Sequence, residues 1–431
     1  MASIIAPFRG IRYRAGGRRD LSALIAPPYD VISPALREEL EGRDPHNIVR
    51  LELPAPCPDD EDGYGRYRRA AGLLRQWLAE EVLVRDPEPT LYVLEQGFEL
   101  HGQRWRRRGL FALVRLPELG KHLVLSHEGT LAEPKADRLH LLQACQTMLS
   151  PILVLAEDQD GALLDSLQGI RGEAEAVAED GGVNHRLWVV REPAAADAFL
   201  AAVGDGPLYI ADGHHRFETA LTHREEMRRR FPDAPPSAGF NHALALIASG
   251  LDQALKILPT HRLVSGLPVA AAAELRARME ECFDIHRWPL PNPEDLGDQP
   301  WLEGAADGRH VYGAYCGDGF YCVLRAREEL VPPSASVVAG LDVSVLHRCL
   351  LDPVLEAAGP SARVDYVVDG QQAARAVAQG QCQFAFFLRP TRVAEVMAAA
   401  RTGERMPGKS TYFHPKAPAG LVLSDASPEP I

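Results

Sequence analysis

The segment Asp212-Gly213-His214-His215-Arg216 puts a carboxylate, two imidazoles and a guanidinium around one glycine. Side chains of these types can hold a phosphate or position a substrate hydroxyl, and core packing alone does not demand them. A second pair, His127-Glu128, joins an imidazole to a carboxylate able to take a proton as a general base. It does not open an H-E-x-x-H zinc motif, because position 131 is leucine. A third run, Gly403 followed by Gly408-Lys409-Ser410, satisfies the written form of a Walker A phosphate loop. Each has a plain alternative. Asp212 can be a helix N-cap with the histidines exposed, His127-Glu128 a solvated loop, and Gly403 to Ser410 a surface loop.

The flanking residues decide which of these can work. Leu208-Tyr209-Ile210-Ala211 is a short apolar run that leads directly into Asp212, and Phe217, Ala220, Leu221 and Met227 recur behind it at helical spacing. Strand, glycine turn and helix in that order aim backbone N–H groups and the positive end of a helix dipole at one spot, as anion binding requires. The Walker-like run lacks this frame. A helical stretch precedes Gly403, and Thr411-Tyr412-Phe413-His414-Pro415-Lys416 is a poor helix start, so no strand before Gly403 and no helix at Lys409 are expected. Lys409, Ser410 and Lys416 could still lie on a loop that reaches a phosphate.

Upstream, Ser33-Pro34 marks a helix start, and Tyr67, Ala70, Ala71, Leu74 and Leu78 mark a second helix. Thr90 to Leu116 reads as a hairpin turning at His101-Gly102-Gln103. The basic run Arg104, Arg106, Arg107, Arg108 in its second strand reads as a solvated strand edge, with a phosphate groove as the alternative. Residues 121–125 read as a strand, 135–149 as a helix, 152–155 as a buried strand, and 157–206 as a segment that could be an insertion. After a strand at 243–248 and the Pro259-Thr260-His261-Arg262 turn, the composition shifts near residue 266. A hairpin at Gly317-Asp318-Gly319, helices near 341–358 and 390–401, and strands near 363–368 and 382–388 follow. The expected fold class is α/β to α+β, with an α/β unit over 1–265 and a smaller α+β unit over 266–431 able to close the site.

The length of 431 residues exceeds the ~100–200 of a single domain, and 46% apolar with 24% charged residues is the composition of a globular protein. A net charge of −13 repels a polyanion, so no nucleic-acid partner is expected. No apolar run approaches the ~20 residues of a membrane helix, and no basic leader opens the chain, so a soluble cytoplasmic protein is expected, with no membrane partner. Seven cysteines, never spaced C-x-x-C, argue against a disulfide framework or a structural zinc site and read as core thiols.

Over residues 121–250 the order His127-Glu128, Arg138, Leu142, Pro151-Ile152, Asp212 to Arg216, Ala220-Leu221 resembles free-serine kinases of the SerK type, within the ParB/sulfiredoxin superfamily. Over the whole chain the sequence looks like the family called domain of unknown function 1015. The landmarks for that are Pro27-Pro28-Tyr29-Asp30-Val31-Ile32, His127-Glu128 with Lys135 and Asp137-Arg138, Ala211 to Ala220, Pro259-Thr260-His261-Arg262, and Lys409-Ser410-Thr411-Tyr412-Phe413.

The kinase resemblance implies a ParB/sulfiredoxin-like mixed core and transfer of a nucleotide phosphoryl group to a serine-like hydroxyl, with Mg2+ and ADP or ATP. It assigns Glu128 as base, Gly213, His214, His215 and Arg216 as the phosphate-binding turn with His127 beside it, and Asp212 as a metal-proximal or substrate-positioning carboxylate. Lys409 is a nucleotide contact on chemistry alone. The sulfiredoxin cysteine position is occupied here by His214, which argues against sulfinic-acid reduction. A nucleotide-binding regulator without transfer and a phosphoester hydrolase remain the alternatives, and a homo-oligomer is allowed for.

Overall fold

Apolar runs from the first 256 residues assemble a ten-stranded mixed sheet. The structure, a computed structural model, describes residues 3–14, 19–58, 60, 63–118, 124–130, 132–290, 292–296, 310–330 and 336–431. The chain forms two compact units. One comprises Met1–Ser126, Thr130–Lys256 and Pro415–Ile431; the other comprises His127–Gly129 and Ile257–His414.

The first unit contains β1 (Ile5–Ala6), β2 (Arg19–Asp20), α1 (Pro34–Arg43), α2 (Gly65–Ala79), β3 (Leu91–Leu100), β4 (Gln103–Arg115), β5 (Val124–Leu125), α3 (Ala132–Cys145), β6 (Ile152–Ala156), α4 (Ala162–Gly169), β7 (Ala176–Asp180), β8 (Val183–Val190), α5 (Pro193–Val203), β9 (Leu208–Asp212), α6 (His214–Arg230) and β10 (His242–Ser249). The sheet order is β2-β7-β8-β3-β4-β10-β6-β9-β5, with β1 also on β4. β10 runs parallel to β6 and β9 parallel to β5, whereas β3, β4 and β10 are antiparallel neighbours. Leu110–Val114 of β4 and Ala243–Ala248 of β10 are fully buried, which fits their nearly unbroken apolar sequence.

Local chemistry accounts for the element starts. Ser33 Oγ accepts the Leu36 N–H at 3.2 Å and Pro34 fills the first helical position of α1. The β3–β4 turn uses two left-handed residues, His101 (φ 51°) and Gly102 (φ 73°), as a two-residue hairpin demands.

Three expectations need correction. The basic run is not uniformly a solvated edge: Arg104 and Arg106 are exposed, but Arg107 is 1% exposed. Helix α3 stops at Cys145, because Thr147–Met148 pairs instead with Ser424–Asp425. The β7–β8 hairpin of segment 157–206 pairs with β3 and extends the central sheet. Of the seven free cysteines Cys57 is exposed and Cys316 and Cys349 are half-buried, so only four are core thiols. Of the strand expected at 121–125, Val124–Leu125 is observed and residues 121–123 lie outside the described residues.

The second unit contains β11 (His261–Ser265), α7 (Val269–Cys282), β12 (Phe283–Pro289), β13 (Val311–Tyr315), β14 (Phe320–Ala326), α8 (Asp342–Leu346), α9 (Asp352–Ala358), β15 (Arg363–Val367), α10 (Gly370–Ala378), β16 (Phe384–Phe387), α11 (Val393–Thr402) and β17 (Tyr412–His414). Its six-stranded sheet, β12-β14-β13-β16-β11-β15, is antiparallel throughout. Val264, Phe384 and Phe386 share a core with residues of α7, α8 and α9, while Leu263, Ala385 and Phe387 share one with Ala373, Ala374 and Val377 of α10. Helix α10 was not expected from sequence, although Ala373, Ala374, Ala376 and Val377 form a clear buried stripe on it. Asp369 caps it by accepting the Gln372 N–H at 2.9 Å.

Candidate functional sites

The Asp212 turn has the anticipated frame: β9 ends at Asp212, Gly213 is left-handed at φ 89°, and α6 starts at His214. A side chain at Gly213 would be strained by that φ, and its Cβ would also come within 3.1 Å of the Arg216 guanidinium. Arg216 folds back over the glycine. Its Nη2 donates to Asp212 Oδ2 at 2.7 Å and its Nη1 to the Pro151 carbonyl, while Nε is buried with no partner among the described residues. The other Asp212 oxygen, Oδ1, accepts from Lys416 Nζ. Burial pushes the Asp212 carboxyl up, but Lys416, Arg216 and His214 outweigh it and hold the group well below the usual carboxylate range. His214 is buried and His215 half-buried.

Lys416 is delivered by a polar row across the sheet. Arg107 of β4 lies directly opposite Gln96 of β3, which lies opposite His185 of β8, and all three are buried. Arg107 donates to Gln96 Oε1 and to the Pro415 carbonyl at 2.6 Å; Gln96 Nε2 donates to the Lys416 carbonyl at 2.9 Å. Burial lowers Arg107 to about 10, and burial with the Arg107 charge pulls His185 down to about 4, so His185 is neutral. This row pins the backbone on both sides of the Pro415–Lys416 peptide, and the lysine reaches Asp212 from there.

A second charged group adjoins the turn. The Arg138 guanidinium carbon lies 4.2 Å from the Tyr29 ring centroid, and Arg138 donates to Asp137 Oδ2 at 2.8 Å and to the Glu52 carbonyl at 2.6 Å. The Glu52 carboxyl, 2% exposed, accepts the Ser150 hydroxyl at 2.9 Å. Burial raises Glu52, with Arg138 and Arg216 opposing, and burial raises Tyr29 to about 12. Glu52, Arg138, Ser150, Arg216 and Thr219 line a cavity of about 40 Å³, room for a few waters.

His127, Glu128 and Lys409 come together in the second unit. His127 is fully buried, with Nε2 3.3 Å from Thr411 Oγ1 and its carbonyl accepting the Met406 N–H at 2.8 Å. Glu128 Oε1 accepts the Lys409 backbone N–H at 2.9 Å, and Arg405 donates to the Glu128 carbonyl at 3.0 Å. Lys409 adopts φ 56°. The Walker-like run has the wrong frame, as expected: α11 ends just before Gly403, which is its left-handed C-cap, and strand β17 follows instead of a helix.

The landmark motifs therefore divide between the units. Tyr29, Arg138 and the Asp212 turn fall in the first, and His127-Glu128, Thr260 to Arg262 and Lys409 to Phe413 in the second. Sequence reasoning did not place Glu52, Ser150 or Gln96 at a site, and reached Arg107 only through the alternative reading of its run as a phosphate groove. Lys416 was read only as part of a loop that could reach a phosphate, although lysine is scarce here, 5 among 46 basic residues, which could have drawn attention to it. Among the described residues no group of three or more His, Cys, Asp or Glu side chains is arranged to hold a metal ion. Among the described residues no helix is long and apolar enough to cross a membrane.

Fold and sites together define a mixed α/β protein with a large mixed sheet and a cation-rich turn. The chain belongs to the family described as Protein of unknown function (DUF1015), whose model matches residues 5–344. No curated protein matches it. Among solved structures it is similar to a conserved hypothetical protein from Pyrococcus furiosus (15% identity, 73% of this chain and 94% of that one, TM-score 0.36). It is similar also to a free serine kinase in complex with AMP (14%, 70% and 86%, TM-score 0.36). A third is SbnI with C-terminal truncation from Staphylococcus aureus (11%, 73% and 88%, TM-score 0.37).

Proposed function

We propose that the protein is a small-molecule kinase with a ParB/sulfiredoxin-type core, transferring a phosphoryl group from ADP or ATP to a serine-like hydroxyl. The observation that carries this is the composition of the Asp212 turn: two buried cations, Arg216 and Lys416, share one carboxylate beside the N-terminus of a 17-residue helix. Two cations meet one carboxylate at the positive end of the α6 dipole, a setting that suits a phosphate chain. Gly213, His214, His215 and Arg216 then line the phosphates. Asp212, with both oxygens bound to cations, holds those cations in place. It is not free to ligate a metal, so Mg2+ enters only as the counter-ion carried by the nucleotide, and no step is assigned to it.

Glu128 is the proposed base, oriented by the Lys409 N–H, with His127 fixed behind it by Thr411. Phosphoryl transfer asks the protein for positioning and charge stabilisation more than for covalent chemistry, and these residues offer both.

Titration calorimetry with Mg-ADP, Mg-ATP and Mg-CTP should give binding for at least one, and mass spectrometry of a hydroxylated-metabolite pool should then show a new phosphoester. Absence of any binding at millimolar nucleotide would refute the proposal. Binding without product would instead make the protein a regulator, and loss of an added phosphoester would make it a hydrolase. Glu128→Gln should lower turnover by roughly 10²–10⁴-fold with nucleotide affinity little changed.

A further inference from the structure

The second unit buries a guanidinium that the described side chains satisfy only in part. Arg262 on β11 is 1% exposed. Its Nη1 donates to the Thr260 carbonyl and its Nε lies 3.4 Å from His347 Nε2, but Nη2 has no hydrogen-bond partner among the described residues. The Thr260 hydroxyl is likewise buried without one. The two residues are two positions apart, the spacing that puts side chains on one face of an extended chain. Leaving a charged donor and a hydroxyl unpaired in the interior is strongly unfavourable, so such a pair marks a place for an acceptor.

The surroundings narrow what that acceptor is. Burial lowers His347, although Asp352 opposes the shift, and burial pulls His261 down to about 4, so both imidazoles are neutral near pH 7. The acidic groups whose fields reach Arg262 are Tyr366 and Glu128. The Tyr366 ring lies 5.1 Å from the Arg262 guanidinium carbon, and Glu128 directs Oε1 to the Lys409 N–H. Tyr366 is 40% exposed, and Asp352, which binds His347 Nδ1 at 2.9 Å, is exposed too, so the rim of this pair reaches solvent.

We propose that Arg262 Nη2 and Thr260 Oγ1 form a recognition site for the carboxylate of a small hydroxy or amino acid. One guanidinium edge and one hydroxyl match the two oxygens of a planar monoanion. A phosphate dianion would bring more charge than one cation neutralises, in the field of Glu128. Naming the bound acid as the phosphoryl acceptor rests on the kinase proposal; the site itself does not.

The test is titration calorimetry on the full chain without nucleotide, using L-serine and glycerate, their carboxylate-free counterparts ethanolamine and glycerol, and inorganic phosphate. At least one acid should bind and neither carboxylate-free compound should. Arg262→Gln should weaken acid binding by about 10- to 100-fold, the loss of a charge-assisted hydrogen bond, and Thr260→Val by less. Because Arg262→Gln can impair folding, Thr260→Val and Arg262→Lys, which keep shape or charge, carry the test in that event. The site is refuted if no acid binds, if phosphate binds more tightly than every acid and that phosphate binding is the one weakened by Thr260→Val or Arg262→Lys, or if Thr260→Val and Arg262→Lys both leave acid binding unchanged, which is the behaviour of a group satisfied by trapped water. Phosphoryl transfer to a plain alcohol with no acid binding would uphold the kinase and refute this site; acid binding weakened in the variants, with no transfer under any nucleotide, would do the reverse.

Discussion

Replacing Lys416 by methionine removes one of the two cations that hold the buried Asp212 carboxylate and leaves the other. The Lys416 and Asp212 side chains are 11% and 13% exposed, so solvent screens their attraction little. Loss of a hydrogen bond to a charged group is worth about 1.5–3 kcal/mol. The ~3–5 kcal/mol for stranding a buried charge is not reached, because Arg216 still holds Oδ2 at 2.7 Å. The expected loss at pH 7 is therefore about 2 kcal/mol, roughly 30-fold in the folding equilibrium of the first unit.

The pH dependence has a definite sign. The folded Asp212 carboxyl lies below its unfolded value of about 3.9, so its contribution is complete above pH ~4 and fades as pH falls through the folded value. In Lys416→Met the carboxyl protonates at higher pH. The stability gap between the two proteins should thus be full at pH 7 and narrow below pH ~4. Urea unfolding followed by tryptophan fluorescence, with Trp77, Trp105 and Trp188 in the first unit, measures it, and an Asp212→Asn/Lys416→Met double-mutant cycle isolates the pair. A gap under about 0.5 kcal/mol at pH 7, or one that widens as the pH falls, would refute the assigned pairing.

Arg107→Met should release the Pro415–Lys416 backbone and expose the Lys416 amine to reductive methylation; with five lysines in the chain, mass spectrometry resolves each site, and unchanged protection of Lys416 would show that Arg107 does not position it. Gly213→Ala should destabilise the first unit by about 1–3 kcal/mol, since alanine must adopt φ 89° and press on Arg216; a neutral effect in urea unfolding would contradict the tight approach.

Local elements were legible because their causes are local. Ser33-Pro34, the His101-Gly102 turn, the strand into Asp212 and the helical spacing behind it each depend on neighbours within a turn or two, and the structure has them. The same logic excludes a phosphate loop at the Walker-like run, since a helix before Gly403 and a proline soon after Lys409 cannot build one. Where a partner lay far away, local reasoning failed. Residues 135–149 look helical throughout, but Thr147–Met148 belongs to a strand because Ser424–Asp425 pairs with it. Arg107 looks like its exposed neighbours Arg104 and Arg106, because strand alternation says which face a side chain takes and not what covers that face.

By itself, then, the sequence determined the class of fold, the strand-glycine-helix frame of the Asp212 turn, and membership of its family, all carried by periodicity and contiguous motifs. Only the tertiary structure decided that Lys416, 204 positions from Asp212, completes that turn, and that the landmark motifs separate into two groups. It alone showed that Arg262 is buried with an N–H that has no partner among the described residues. The physical reason is that hydrophobic spacing and turn chemistry act over a few residues. Ion pairing and desolvation depend on which distant segments the folded chain brings together, and no local pattern records that.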